Sequence, residues 1–207
     1  MANEQQNLES SSSNGGEIEV KSQDVNNLKA DTVTVRYGNV GDIQAEHVLA
    51  SFTGAASVSG NNVEIRQGGV QSLRGEQVNI RQGVAAQVHA EKLDVTQGAL
   101  IYAETGTANL TASNVGAVLT GGETTLDQSL ARAVISRGDI TMDQSNCGVI
   151  VGRNISTGEN SGTILMLAGR VNGNVNAVFG PASSAAFGAA FALVLALILW
   201  IRRRLLG

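Results

Sequence analysis

Written in blocks of 15 from Gly16, the chain falls into register with itself. Four columns of the blocks hold nothing but aliphatic residues over seven successive repeats. Column three runs Ile18, Val33, Val48, Val63, Val78, Leu93, Ala108, and column five runs Val20, Val35, Ala50, Ile65, Ile80, Val95, Leu110. Column ten runs Val25, Val40, Ala55, Val70, Ala85, Leu100, Val115, and column thirteen runs Leu28, Ile43, Val58, Leu73, Val88, Ala103, Val118. With 43% of the chain apolar, chance does not produce such a pattern. A fixed internal period of this kind means stacked structural units.

The period also selects the unit. Columns three and five alternate with polar neighbours, as in a short strand with one buried face. Column eight carries Gly38, Gly68, Gly83 and Gly98, read as a corner that a Cβ would resist. Column fifteen holds Ala, Gly or Thr, a second tight corner. Fifteen residues are too few for a helix-pair repeat. The expected fold is therefore all-β: a parallel β-solenoid of coils about 4.8 Å apart. Val63, Ile65, Val70, Leu73, Val78, Ile80 and Val88 are its central core ladder. Only 3% of the chain is aromatic and it has one proline against 25 glycines, which suits a narrow aliphatic interior.

The outward columns suggest ladders. Gln67, Gln82 and Gln97 share column seven, where identical amides can bond along the axis. Arg36, Arg66 and Arg81 share column six, and Asp31, Glu46, Glu76 and Glu91 share column one. After Thr120 the register slips at Gly121–Gly122. Val134 and Ile135 then recur as Val149 and Ile150, and Ile140 as Ile155, 15 apart. AVISRGDI, GVIVGRNI and TILMLAGRV read as three further coils, giving about ten in all over residues 17–170 and a rod on the order of 50 Å. The run Ile164–Leu167 reads as a terminal coil covered on both faces.

Residues 182–201, ASSAAFGAAFALVLALILWI, contain no charge, and 20 residues of helix span about 30 Å of hydrocarbon. The expectation is one transmembrane helix, with Trp200 and Arg202, Arg203 and Arg204 at the membrane interface. Ser184, Gly188, Ala192 and Ala196 recur at intervals of four, a small-residue stripe for helix packing. The domain plan is thus a disordered tail over 1–16, a solenoid over 17–170, a linker over 171–181, the helix, and a basic tail over 202–207. The arginines favour an external solenoid, whereas the N-terminal sequence MANEQQNLESSSSNGGE lacks a signal peptide's features and favours a cytoplasmic one. The cytoplasmic orientation is preferred.

Enzyme readings find little support. His47 and His89 fall in different columns, two and fourteen, and neither has a ligand at metal spacing. No phosphate-binding loop or nucleophile elbow is present. No cofactor or metal is expected. The net charge of −4, with basic residues clustered only at the C-terminus, excludes a nucleic-acid footprint. Cys147, the single cysteine, reads as a small buried apolar residue.

The segments GNVGDIQAEHV, GGVQSLRGEQVNI, GVAAQVHAEKLDV and GRVNGNV resemble the bactofilins, bacterial polymer-forming cytoskeletal proteins, across residues 17–175. The resemblance implies a small solenoid that assembles end to end without nucleotide, often on a membrane. The coils here are shorter than is usual for that family, and a C-terminal membrane helix is atypical. The functional expectation is a non-enzymatic, membrane-anchored scaffold. Its partners would be the lipid bilayer, further copies of itself and an unidentified protein client. Ile18 and Val20 of the first coil mark the self-assembly edge, because nothing before them resembles a cap. The alternative is an extracytoplasmic surface rod or polymer-binding module held by the same helix.

Overall fold

The computed structural model describes residues 16–22, 24–173 and 176–177. The expected N-terminal tail up to residue 15, most of the linker, the membrane helix and the basic tail lie outside these residues. So do Ser184, Gly188, Ala192, Ala196, Trp200, Arg202, Arg203 and Arg204. Among the described residues there is no helix, and hence none long and apolar enough to cross a membrane.

What the described residues form is a parallel β-solenoid of about ten turns. Its strands are β1 (Glu17–Lys21), β2 (Val25–Arg66), β3 (Gly69–Arg81), β4 (Val84–Thr96), β5 (Ala99–Thr111) and β6 (Asn114–Thr120). They continue as β7 (Thr124–Asp127), β8 (Leu130–Ser136), β9 (Asp139–Asp143), β10 (Asn146–Thr157), β11 (Gly162–Gly173) and β12 (Asn176–Ala177). Every pairing between strands is parallel, and each strand lies on the one a coil earlier. β2 runs for 42 residues, its ladder continuing through the corners at Tyr37 and Phe52.

The four aliphatic columns form the interior. All their members are buried except Ile18 and Val25, which belong to the first coil and are partly buried against the same core. Ile65, Leu73, Ile80 and Val88 are at most 1% exposed, and Val63, Val70 and Val78 at most 5%. Stacking thus removes each coil's apolar stripe from water, which no single coil could do alone.

The coil length changes midway. From β1 to β5 each residue lies over the one 15 positions later, as Val63 over Val78 and Val78 over Leu93. At Gly121–Gly122 one residue is added, so that Ala108 pairs with Thr124, and the next coils are 16 residues long. Val134 therefore lies over Ile150, and Ile135 over Val151. The expected match of Val134 with Val149 and Ile135 with Ile150 is one residue out. Ile140 does lie over Ile155, because the later coil is one residue shorter at Gly152–Arg153.

The corner at columns seven and eight also differs from expectation. The residue that bends the chain is in column seven and is never glycine. Ser22, Tyr37, Phe52, Gln67, Gln82, Gln97, Ala112, Gln128, Gln144 and Asn160 all have φ between 45° and 59°. This left-handed conformation costs an L-residue about 1–2 kcal/mol, so the stack imposes it at every coil. At Gly68 in column eight the constraint is space. A Cβ on Gly68 would stand 2.5 Å from the Thr53 carbonyl oxygen of the coil before.

In the 16-residue coils serine takes the glycine's place. Ser113, Ser129, Ser145 and Ser161 form a buried ladder. The hydroxyls of Ser129, Ser145 and Ser161 accept from the backbone N–H of the serine one coil earlier, at 3.1, 3.0 and 3.5 Å, and Ser113 Oγ accepts from Gly98 N–H at 3.4 Å. Each hydroxyl also donates to the carbonyl two residues before it, as Ser129 Oγ to Asp127 O at 2.8 Å. The buried hydroxyls are thus satisfied, as burial demands. The last coil is less enclosed than expected: of the run Ile164–Leu167, Ile164, Leu165 and Leu167 are exposed, and only Met166 turns partly inward.

Candidate functional site

Three kinds of surface are exposed for function: the flat sides, the corner ridge and the ends. On the side formed by columns two, four and six, a shallow open depression of about 620 Å³ lies over the 15-residue coils. Its polar groups pair locally. Arg66 Nε donates to Glu64 Oε1 at 2.8 Å, and His47 Nδ1 lies 3.3 Å from Asn62 Nδ2 one coil later. Arg66 and Arg81 stand over one another as column six predicts. Both members of the Arg66–Glu64 pair are solvated, so it contributes little to stability. Nothing in this depression brings a nucleophile against a base.

The two histidines are not brought together. His89 Nδ1 faces Glu104 Oε2 at 3.6 Å in column fourteen, on a different side from His47. Among the described residues no group of His, Cys, Asp and Glu could hold a metal ion. Cys147 is 3% exposed, and burial pushes its thiol from 9.0 up to about 11. A thiol so held is neutral and poorly nucleophilic at neutral pH.

Along the corner, the column-seven residues form a continuous ridge. Gln67 Nε2 donates to Gln82 Oε1 at 2.9 Å, and Gln82 Nε2 to Gln97 Oε1 at 3.1 Å, the amide ladder that the column suggested. Tyr37 and Phe52 extend the ridge as a parallel stack with centroids 4.9 Å apart. Both rings are about half exposed. The coil spacing matches the stacking distance of flat groups, which explains why amides and rings both succeed here.

At the ends, strand edges are open. β1 pairs on one side with Thr32–Arg36, and no described residue pairs with its other side. Ile18 and Val20 point their side chains into the core column. Ser22 N–H donates to Arg36 O, and Thr32 N–H donates to Gly16 O. In a parallel ladder each residue turns its N–H and C=O to the same side, alternating along the strand. Even-numbered residues of β1, Val20 included, therefore bond the second coil. The free backbone groups at the edge belong to Glu17, Glu19 and Lys21, which the sequence pattern did not single out. At the other end, among the described residues, β11 is paired on its far side only at Gly162 and Thr163, by β12.

Comparison with protein-family models gave no match, and searches of curated proteins and of solved structures returned no significant one.

Proposed function

We propose that this chain is a non-enzymatic, membrane-anchored scaffold that self-associates through the ends of its solenoid, in the manner of the bactofilins it resembles. The observation that carries the reading is the pair of open strand edges. Both ends leave backbone donors and acceptors unpaired among the described residues, directly over an aliphatic core that the next subunit would continue. Open edges of this kind template further strands unless they are capped. The solenoid is anchored through residues 182–201 as a membrane helix, on the cytoplasmic side. Confinement to a surface raises the effective concentration of subunits and so favours assembly.

The test is sedimentation and electron microscopy of the detergent-solubilised full chain without nucleotide or metal, which should show rods longer than one subunit. Glu19→Pro removes an outward donor from the edge without touching the bonds to the second coil, and should shorten the rods while the fold persists. A monomer at high concentration, or rods indifferent to Glu19→Pro, would remove the end-to-end mechanism.

A further inference from the structure

We infer that one side of the last four coils is a membrane-docking face, which lays the C-terminal half of the solenoid against an anionic bilayer. The inference rests on the anchored reading above and adds to it an orientation and a surface.

In the 15-residue coils, columns twelve and fourteen point outward and are polar. Column twelve holds Asn27, Asp42, Ser57, Ser72, Gln87 and Tyr102, and column fourteen holds Lys29, Gln44, Ser59, Arg74, His89 and Glu104. From the seventh coil onward the same columns turn apolar. Column fourteen becomes Leu119, Ile135, Val151 and Leu167, in continuous register. Column twelve becomes Ala117, Ala133, Val149 and Leu165 beside it. Leu119, Ile135 and Leu167 are 37%, 44% and 55% exposed, so the side chains point to solvent rather than into the core. The one-residue change of register after Gly121–Gly122 places Val149 and Val151 on this outer face and Ile150 inside.

Charge is sorted around the face. Arg132 stands in column eleven at one margin, and Arg137 and Arg153 stand at the corner past column fifteen, at the other. All three are exposed, and none has an ion-pair partner among the described residues. The acidic residues of these coils, Glu123, Asp127, Asp139, Asp143 and Glu159, all lie in columns two and six, away from the face. An aliphatic surface with arginines on its margins matches the boundary between acyl chains and anionic headgroups. There the arginine stems lie along the apolar surface while the guanidinium groups reach phosphate.

The other occupants fit less well. Four coils and two columns make a face of about 20 Å by 10 Å, far less than the roughly 800 Å² per partner of a stable protein contact. Two copies meeting through it would also bring arginine margins together with no acid to pair them. The chain's own residues 182–201, as a helix, would be about 30 Å long and would overhang the face. That segment instead fixes where the face sits. It begins five residues after Ala177, at the same end of the rod, within a reach of about 17 Å.

The test uses the full chain carrying Cys147→Ala and one new cysteine, Ile135→Cys on the face or Thr141→Cys on the column-four side of the same coil. Each is labelled with an environment-sensitive fluorophore and reconstituted into phosphatidylcholine vesicles with or without phosphatidylglycerol. Flotation is measured first, then quenching by spin-labelled lipid and by aqueous iodide. The expected result is that the Ile135→Cys probe is quenched from the lipid and shielded from iodide, more so with phosphatidylglycerol. The Thr141→Cys probe should show the reverse. Arg132→Gln with Arg153→Gln should abolish the phosphatidylglycerol dependence. A chain that fails to float overturns the anchored reading and the inference with it. A chain that floats with both probes equally open to iodide overturns the inference alone. An Ile135→Cys probe shielded from iodide yet untouched by lipid quencher also overturns it. Loss of that shielding on dilution into excess lipid would then point to a second copy, and its persistence to the chain's own C-terminal segment.

Discussion

Gly68 and Gly69 are adjacent and identical in sequence, yet alanine at each should act with opposite sign. A Cβ on Gly68 would lie 2.5 Å from Thr53 O, with Ile65 Cγ2 at 3.4 Å on another side. A carbon and an oxygen need about 0.7 Å more than that, and the oxygen belongs to a backbone held in the coil ladder. The coils must therefore separate locally or the corner must distort, an overpacking cost of about 1–3 kcal/mol. At Gly69 an added Cβ meets nothing within 4 Å, and φ lies outside the left-handed region. There alanine only restricts the unfolded chain, a gain of about 0.4–1 kcal/mol. For a domain of this size 1 kcal/mol moves Tm by about 2–4 °C. Thermal melts of the purified chain followed by far-ultraviolet circular dichroism should thus show Gly68→Ala melting about 4–8 °C low, for a mid-range cost of 2 kcal/mol. Gly69→Ala should melt at or slightly above the parent. Equal losses at both sites, or a parent-like Gly68→Ala, would refute the assignment of the glycine column to close approach between coils.

Ile80, with no exposed surface, should not tolerate Asp: an unpaired buried carboxylate costs several kcal/mol and the melt should lose its cooperative transition. Arg66→Ala on the solvated side should cost well under about 1 kcal/mol in the same assay. Cys147 should react with a disulfide reagent at neutral pH only after the chain is unfolded by denaturant. Because its folded thiol titrates near 11 against 9.0, the folded state holds the proton more tightly. That contribution is complete below pH 9 and is lost as pH rises toward 11, so denaturant midpoints should fall over this window in the parent but less in Cys147→Ala.

The core was legible because a narrow interior admits little besides Val, Ile, Leu and Ala, and because the 15-residue period is strict through Val118. The second half was harder to place for a physical reason. Apolar residues there fall at neighbouring positions, so Val134–Ile135 matches Val149–Ile150 at a spacing of 15 as well as Ile150–Val151 at 16. A slip of one residue exchanges inner and outer faces, and the wrong choice hid the apolar side of the last coils. The discriminating signal was polar. Asp127-Gln128-Ser129 and Asp143-Gln144-Ser145 repeat 16 apart, and they are the corner residues that carry the serine ladder. The left-handed residue of each corner was hidden for a related reason. Glycine in column eight suggested the bend, whereas the residue before it bends and the glycine merely clears the neighbouring carbonyl. The outward direction of Glu19 rather than Val20 could be read only from the ladder itself, since side-chain pattern does not report which way a backbone donor points.

The two ends of the rod are different, and the difference bears on how copies would join. A contact between unlike ends is heterologous and grows without closing when successive copies continue one axis. If the columns are carried across such a junction, Glu17 to Val20 of one copy meet Arg170 to Gly173 of another. Arg170 belongs to column two, through its pairing with Asn154 and that residue's pairing with Asp139, and Glu17 occupies the same column in the first coil. The junction therefore sets a carboxylate against a guanidinium. Beside them Ile18, only partly buried in the free end, lies over Val171, which is 41% exposed in the other. These are the incompletely buried members of core column three, and joining the ends buries both. Two copies meeting by their first coils would instead run antiparallel, which reverses the order of the columns and leaves the carboxylate of Glu17 away from Arg170. Sorted charge and an interrupted core column thus favour a polar, head-to-tail chain of subunits over a symmetric pair.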